Sequence, residues 1–493
     1  MILTTILEKN SRKFGNYPAL TMRMGYRTIS LTYQEVYDTA RCVALFLEKN
    51  QINKGDTLLI CAPNSPYWIA LFWGCLLRGV IVVPLTIQST IPMVQKIAEQ
   101  TDAKILFTSL HNKQTFGTLQ TYALELIPEF IAPFSPTNFI VQPIDPNDIV
   151  EIMYTSGTTG DPKGVVLTHK NFCANLMAIT DIYPVSGTEE RLLSILPLSH
   201  IYEQTIGFLL PYSVGAHIIY AHSHAAIRDL LKKHCITKML AVPEFLKAFM
   251  NKIETQAEQK GKKRLLETLF KLSLAINNTW FSRLLFKRIL KTFGGRLNTI
   301  ASGGAPLDPI LEMKWQALGI TIMQGYGLTE TSPVIASNSF QEHRHGSVGK
   351  IVPGLEVKLD EQGEILVKGP SVFQGYFKNK EKTHETFTAD GFFKTGDMGF
   401  FDADGFLFLK GRKKYMIKGA GAQNVYPEDI EAELNEIAQV EDSCVIGLEK
   451  PGGIVDIHAV LLLAPRDAST THDTQPEKFS KKTLENTLEN GGL

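Results

Sequence analysis

Between two apolar runs, Ile149–Met153 and Val165–Leu167, the chain carries Tyr154-Thr-Ser-Gly-Thr-Thr-Gly-Asp-Pro-Lys-Gly164, a stretch too polar and too rich in glycine to be core. The flanking runs read as strands, and Thr168 followed by a periodic apolar segment from Phe172 to Ile179 reads as a capped helix. A mobile loop of this composition has one common use. Glycine lets backbone N–H groups close on phosphate oxygens, hydroxyls add donors, and the lysine supplies compensating charge. A flexible surface loop is the plain alternative, and the lysine and flanking strands argue against it. The spacing departs from the P-loop pattern, because four residues separate Gly157 from Pro162-Lys163 where that pattern needs Gly-Lys-Ser/Thr. A dinucleotide fingerprint is also absent: the nearest candidate, Gly419-x-Gly421, has Asn424 in place of its third glycine.

Strand-like and helix-like segments alternate through most of the chain. Thr57–Cys61 reads as a strand, Pro66–Leu77 as a helix and Val80–Val83 as a strand. Ile105–Thr108, Leu192–Leu196 and Lys238–Val242 read as further strands, the last followed by a helix from Glu244. Alternation of this kind predicts an α/β fold with parallel sheets buried on both faces. Trp68–Leu85 is apolar but breaks at Arg78-Gly79, so it is a parallel-sheet unit and not a membrane span. From Leu355 to Phe408, short alternating runs separated by turns such as Asp360-Glu-Gln-Gly and Asp402-Ala-Asp-Gly predict antiparallel β-structure.

Composition narrows the class. The 493 residues allow several domains, and 50 basic against 50 acidic residues leave no net field for nucleic acid or acidic surfaces. Six scattered cysteines without a CxxC pair predict buried, reduced thiols and a cytoplasmic protein. The start Met1-Ile-Leu-Thr-Thr-Ile-Leu-Glu lacks the basic region and cleavage site of a signal peptide. His217, His222 and His224 cluster, as do His343 and His345, but neither group has the helical spacing of a zinc site, so no metal is expected there.

Two downstream glycine motifs follow strand-like runs: Ser302-Gly303-Gly304-Ala305-Pro306 and Gln324-Gly325-Tyr326-Gly327-Leu328-Thr329-Glu330. Glycine beyond a strand end lets a flat ring lie against backbone, and a tyrosine can stack on it. Either motif alone is also compatible with an ordinary turn between sheet elements. Further on stand Thr395-Gly-Asp397 and Gly411-Arg412-Lys413-Lys414. In isolation each is a turn or a solvated charge.

Taken in order, the phosphate loop and the two glycine motifs closely resemble the signature of adenylate-forming enzymes, a superfamily of acyl-CoA synthetases, luciferases and nonribosomal peptide adenylation domains. The resemblance runs from about residue 5 to 465. It implies a large adenylation domain over 1–410, with a small β-barrel-like subdomain at about 340–410, and an α+β C-terminal domain over 411–493 that swivels on Lys414. It implies that Thr155, Ser156, Gly157, Thr158, Thr159, Gly160 and Lys163 wrap the phosphates of ATP. Gly303, Gly304 and Ala305 would border the adenine with Gln324, Gly325 and Gly327, and Tyr326 would stack on it. Thr329 would contact phosphate, Glu330 would hold Mg2+, and Asp397 with Arg412 would bind the ribose. Lys418 and Gln423 fall where several relatives contact the adenylate.

Pro197-Leu-Ser-His200-Ile-Tyr-Glu-Gln204 resembles the matching motif of bacterial long-chain fatty acyl-CoA synthetases, where the histidine lies by the acyl carboxyl end. The implied reaction makes acyl-AMP and pyrophosphate from a long-chain fatty acid and ATP, then passes the acyl group to CoA. Acyl carrier protein as acceptor, and a non-catalytic acyl-AMP-binding protein, are the alternatives. Asn251–Arg296 holds eleven basic and three acidic residues interleaved with apolar ones. Docking of its apolar face on the main domain is the preferred reading, and peripheral contact with anionic membrane the other. The resemblance fails at the end: the C-terminal domain is short, and Lys478, Lys481 and Lys482 have no neighbouring glycine to form the expected closing Gly-Lys pair. A missing cation there implies a truncated domain and a first half-reaction slowed by orders of magnitude. Acyl chain length and oligomeric state have no signature in the residues.

Overall fold

The computed structural model describes residues 1–25, 27–112, 116–117, 119–155, 162–183, 187–418, 424–435, 437, 440–449 and 455–463. The chain divides into two compact units, Met1–Lys413 and Lys414–Leu493. The first is an α/β structure built on three sheets. A six-stranded sheet runs Gln120–Ala123, Ile105–Thr108, Thr57–Cys61, Ile81–Pro84, Ile149–Thr155, Lys163–Thr168. A nine-stranded sheet runs Lys350–Ile351, Val334–Ser337, Thr321–Gly327, Thr299–Ser302, Lys238–Ala241, Arg191–Ser194, His217–Tyr220, Pro18–Met24, Arg27–Thr32. The central strands of both are parallel, and each bears an antiparallel edge.

Local chemistry explains the element ends. Ser65 caps the helix Pro66–Arg78 by accepting from the Trp68 N–H, Pro66 opens it, and Gly79 closes it with left-handed backbone. Every residue of that helix except Tyr67 is buried, which fits a helix wedged between layers and explains its membrane-like hydropathy. Thr168 caps the helix His169–Thr180 and forms a capping box with Asn171. Strand Arg191–Ser194 stops two residues short of the expected Leu196, because the Asn64 side chain takes the Leu196 carbonyl (2.7 Å) and the Leu198 N–H (2.8 Å) from the ladder.

The predicted antiparallel region is a four-stranded sheet in chain order: Glu356–Leu359, Glu364–Lys368, Phe393–Phe401, Leu407–Arg412. Its Asp360 turn is closed by Asp360 Oδ1, which accepts from the N–H groups of Gln362 and Glu364. A short helix, Lys380–Thr386, interrupts it and was not expected.

In the second unit, Ile417–Lys418 pairs with Asn424–Val425, helix Pro427–Leu434 follows, and Val440–Glu449 pairs antiparallel with Val455–Leu463. Its small core contains Ile417, Leu434 and Val445. The expected adenylate contact Gln423 and the lysines Lys478, Lys481 and Lys482 lie outside the described residues.

Among the described residues no helix is long and apolar enough to cross a membrane. Cys42, Cys61, Cys75 and Cys173 are buried as expected, whereas Cys235 is half-buried and Cys444 exposed. The basic segment docks its apolar face, with Leu266, Phe270, Phe286, Leu290 and Phe293 joining the core around Trp315.

Candidate functional site

Strands Thr299–Ser302 and Thr321–Gly327 lie side by side and parallel, with Ser302 opposite Gln324. Both glycine motifs therefore begin side by side at the C-terminal ends of two adjacent strands of the nine-stranded sheet. Gly303 is buried there, and a methyl group on it would stand 3.1 Å from the Gly325 carbonyl oxygen and 3.4 Å from the Tyr202 ring. At Gly327 the backbone approach is closer still: a Cβ would meet the Pro333 carbonyl oxygen at 1.8 Å, so no other residue fits that turn. Gly304 and Ala305 face solvent just beyond.

Tyr326 is 9% exposed, and its hydroxyl donates to Asp397 Oδ2 at 2.6 Å. Asp397 faces Arg412 across the antiparallel sheet, and the guanidinium Nε lies 2.7 Å from Asp397 Oδ1. Each carboxylate oxygen keeps a lone pair for a further donor. Burial lifts the Asp397 carboxyl above its ordinary value. Arg412 and the Tyr326 hydroxyl draw it back, while the charge of Glu330 adds to the lift. Lys413 is anchored in turn, 2.7 Å from Glu364 and 3.3 Å from Asp360. Lys414, exposed, is the first residue of the second unit.

The phosphate-loop strands form an antiparallel pair in which Thr155 lies opposite Lys163. Ser156, Gly157, Thr158, Thr159 and Gly160 lie outside the described residues, so the geometry of the site is carried by the loop's two anchors. Gly375–Phe377 straps the outgoing strand: Val166 N–H donates to the Gly375 carbonyl (3.3 Å) and Phe377 N–H to the Gly164 carbonyl (2.7 Å). The strap carries Tyr376, whose ring lies 5.6 Å beneath the Lys163 ammonium and whose hydroxyl donates to Glu330 Oε1 at 2.9 Å. Glu330 and Thr329 share the single turn Thr329–Thr331, and the Glu330 carbonyl accepts from Phe373 N–H (2.8 Å). Lys163, Glu330, Tyr326, Asp397 and Arg412 thus meet at one place, from segments more than two hundred residues apart.

His200 is exposed at the start of a helix whose residues 203–209 form a π-turn. Two residues on, Tyr202 lies against Gly303, which joins the His200 segment to the glycine motifs. Beside this helix runs a narrow apolar cavity lined by Tyr183, Leu192, Ile206, Leu210, Met239 and Leu240. Glu203 of this helix and Glu151 are fully buried, and burial pushes both carboxyls up to about 8.

Sequence reasoning missed Tyr376 and Glu151, whereas Tyr202 is the aromatic neighbour of His200 in the Pro197–Gln204 motif. Tyr376 follows Gly375, its one local hint. The approach of Tyr202 to Gly303, about a hundred residues away, could be placed only by the fold. Glu151 sits in strand alternation where a surface residue would be expected.

The AMP-binding enzyme family matches residues 7–377. Long-chain-fatty-acid--CoA ligase FadD15 of Mycobacterium tuberculosis (strain ATCC 25618 / H37Rv) is 30% identical over 467 residues, covering 87% of this chain and 77% of that protein. Long-chain-fatty-acid--CoA ligase 1 of Cavia porcellus is 29% identical, covering 87% and 69%. Among solved structures, ATP-bound MatB from Rhodopseudomonas palustris superposes with a TM-score of 0.80 at 24% identity, covering 100% of this chain and 93% of that one. A Mycobacterium tuberculosis fatty acyl CoA synthetase gives 0.73 at 22% identity, covering 99% and 91%. At these identities the structural likeness establishes the fold.

Proposed function

The chain belongs to the AMP-binding enzyme family, and on that premise we propose that it is a long-chain fatty acid–CoA ligase working through acyl-AMP. The observation that carries this reading is the meeting of Lys163–Tyr376–Glu330 with Tyr326–Asp397–Arg412 beside the His200 helix. The names of the relatives, long-chain-fatty-acid--CoA ligases, support the acyl class.

In the first step a fatty carboxylate oxygen attacks the α-phosphorus of ATP, forming the acyl–phosphate bond as the bond to pyrophosphate breaks. In the second, the thiol of CoA attacks the acyl carbonyl, loses its proton, and AMP departs. Negative charge grows on the phosphoryl oxygens in the first step, so positioning and charge stabilisation do most of the work. Asp397 is held rigid from both sides and offers its remaining lone pairs to the ribose hydroxyls. Gly303, Gly304 and Ala305 border the base with Gln324, Gly325 and Gly327, and the pinned ring of Tyr326 stacks on it. Thr155 and Lys163 anchor the Ser156–Gly160 loop around the phosphates, with Thr329 beside them. His200 and Tyr202 flank the acyl carboxyl. Glu330, a hard carboxylate oxygen donor in a half-exposed turn, fits Mg2+; that ion supplies charge neutralisation of the triphosphate. The second unit swivels on Lys414 between the two half-reactions.

The purified chain, given ATP and palmitate, is expected to release pyrophosphate only when acid is present and to yield palmitoyl-CoA when CoA is added. Formation of palmitoyl–acyl carrier protein instead would change the acceptor and leave the first step standing. Absence of both acid-dependent pyrophosphate and palmitoyl-AMP binding would overturn the reading.

We also propose peripheral membrane contact through residues 251–296. Although its main apolar face is docked, Trp280 is 73% exposed and Leu284 56%, among the basic residues of the segment. Vesicles of mixed anionic and zwitterionic lipid should co-sediment the protein, and Trp280→Ser with Leu284→Ser should lower the bound fraction severalfold. Equal binding by the double variant would remove this surface from consideration.

A further inference from the structure

We propose that Glu312, His343 and His345 form a binding site for a divalent transition-metal ion, with Zn2+ the best chemical match. Read alone, the two histidines lack the spacing of a zinc site. The fold brings them a third donor from the helix Pro309–Ala317, roughly thirty residues upstream. Glu312 is 1% exposed, and a carboxylate buried to that degree must be paired or coordinate a metal. His343 Nε2 lies 2.8 Å from Glu312 Oε1 and His345 Nδ1 lies 3.2 Å from Glu312 Oε2. One donor atom from each of the three residues can be chosen so that all lie within 4.8 Å of one another.

The loop that carries the histidines is held at several points. Buried Asn338 donates to the Ser347 carbonyl (2.9 Å) and accepts from Arg344 N–H (3.0 Å), and Ser347 Oγ donates to the Arg344 carbonyl (2.8 Å). Between the histidines, Arg344 turns the other way and pairs with Asp402 and Asp404 of the antiparallel sheet. The loop thus turns Arg344 towards Asp402 and both flanking histidines towards Glu312. His345 Nδ1 is buried and makes no well-aligned hydrogen bond, its near polar neighbour being Glu312 Oε2, the atom with which it would share an ion.

The donor set selects the ion. Two imidazole nitrogens and one carboxylate suit Zn2+, whereas Mg2+ and Ca2+ take oxygen. Tetrahedral Zn2+ with bonds near 2.0–2.1 Å needs donors about 3.3 Å apart. The imidazoles, with side chains 22% and 31% exposed, have room to close that gap. A neighbouring polar cavity lined by Asn277, Asn278, Thr279 and Gln316 opens on the same three residues and can admit a water as fourth ligand. A bound ion would clip the helix Pro309–Ala317 to the loop that holds Arg344 on Asp402.

The proposal is independent of the ligase reading, and its test contains no ATP or acyl substrate. The full chain, stripped with chelator and dialysed, is titrated with Zn2+ by calorimetry and with Co2+ by visible absorption. One ion per chain is expected, with the spectrum of nitrogen and oxygen ligation and a raised Tm. His343→Ala with His345→Ala should weaken binding at least about tenfold, while His222→Ala with His224→Ala should not. No saturable binding at micromolar Zn2+, binding unchanged in the His343/His345 variant, or a thiolate signature from Cys235 or Cys444 would each overturn the site. The spectrum of the unaltered protein decides the ligand type even if the double variant folds poorly.

Discussion

Replacing Glu330 by glutamine is expected to slow acid-dependent pyrophosphate release by about 100- to 1,000-fold, the usual worth of one preorganised group acting on transition-state charge. The substitution keeps shape and one acceptor oxygen, so the 2.9 Å bond from Tyr376 can persist and the fold should not change. What is lost is the negative charge. Glu330 lies in a turn fixed through its own carbonyl by Phe373 N–H, so the carboxylate is preorganised and not recruited on binding. Tyr376→Phe makes the comparison informative. It removes only the hydrogen bond that positions Glu330, a bond to a charged group worth about 1.5 kcal/mol or about tenfold in rate. A rate for Glu330→Gln within threefold of the unaltered protein, with Tm unchanged, would remove Glu330 from the catalytic machinery.

The contrast between Glu330 and Tyr376 marks what was legible in the sequence. Glu330 lies in a glycine-bearing string that, alone, is compatible with an ordinary turn; it was named because that string, taken in order with the phosphate loop, resembles a family signature. Strands such as Thr57–Cys61 and Ile105–Thr108 were equally plain, because a parallel sheet buried on both faces is apolar throughout. Tyr376 gave little sign, since its partners Lys163 and Glu330 are remote in sequence and ordinary in composition. The same limit hid the site on Glu312. His343 and His345 were visible, but the helix that completes them could be placed only by the fold. Strand ends shifted where a side chain such as Asn64 took over ladder partners, an effect that periodicity does not register.

Glu151 and Glu203 illustrate a buried charge problem with a measurable consequence for stability. Both are fully buried, and burial pushes each carboxyl to about 8, from 4.5 for a free side chain. For Glu151 the hydrogen-bond geometry favours the proton. One N–H of the Gln204 amide goes to the Leu198 carbonyl at 2.7 Å, and Gln204 Oε1 and both Glu151 oxygens make no well-aligned hydrogen bond. Facing acceptors become compatible once Glu151 is protonated and donates to Gln204. The folded protein therefore holds protons that the unfolded chain releases above its ordinary carboxyl range. The stability these groups contribute is fully present below pH 4.5 and is lost as pH rises towards about 8. At about 1.4 kcal/mol per pH unit per proton, the loss is on the order of 5 kcal/mol for each carboxyl. Glu151→Gln with Glu203→Gln supplies a neutral amide of the same shape. The Tm of this variant should exceed that of the unaltered protein by an amount that grows between pH 5 and 8 and then levels off. Reversible unfolding followed by circular dichroism across that range is the measurement. Parallel Tm curves for the two proteins would mean that these carboxylates are already ionised in the folded state and that something in the core compensates them.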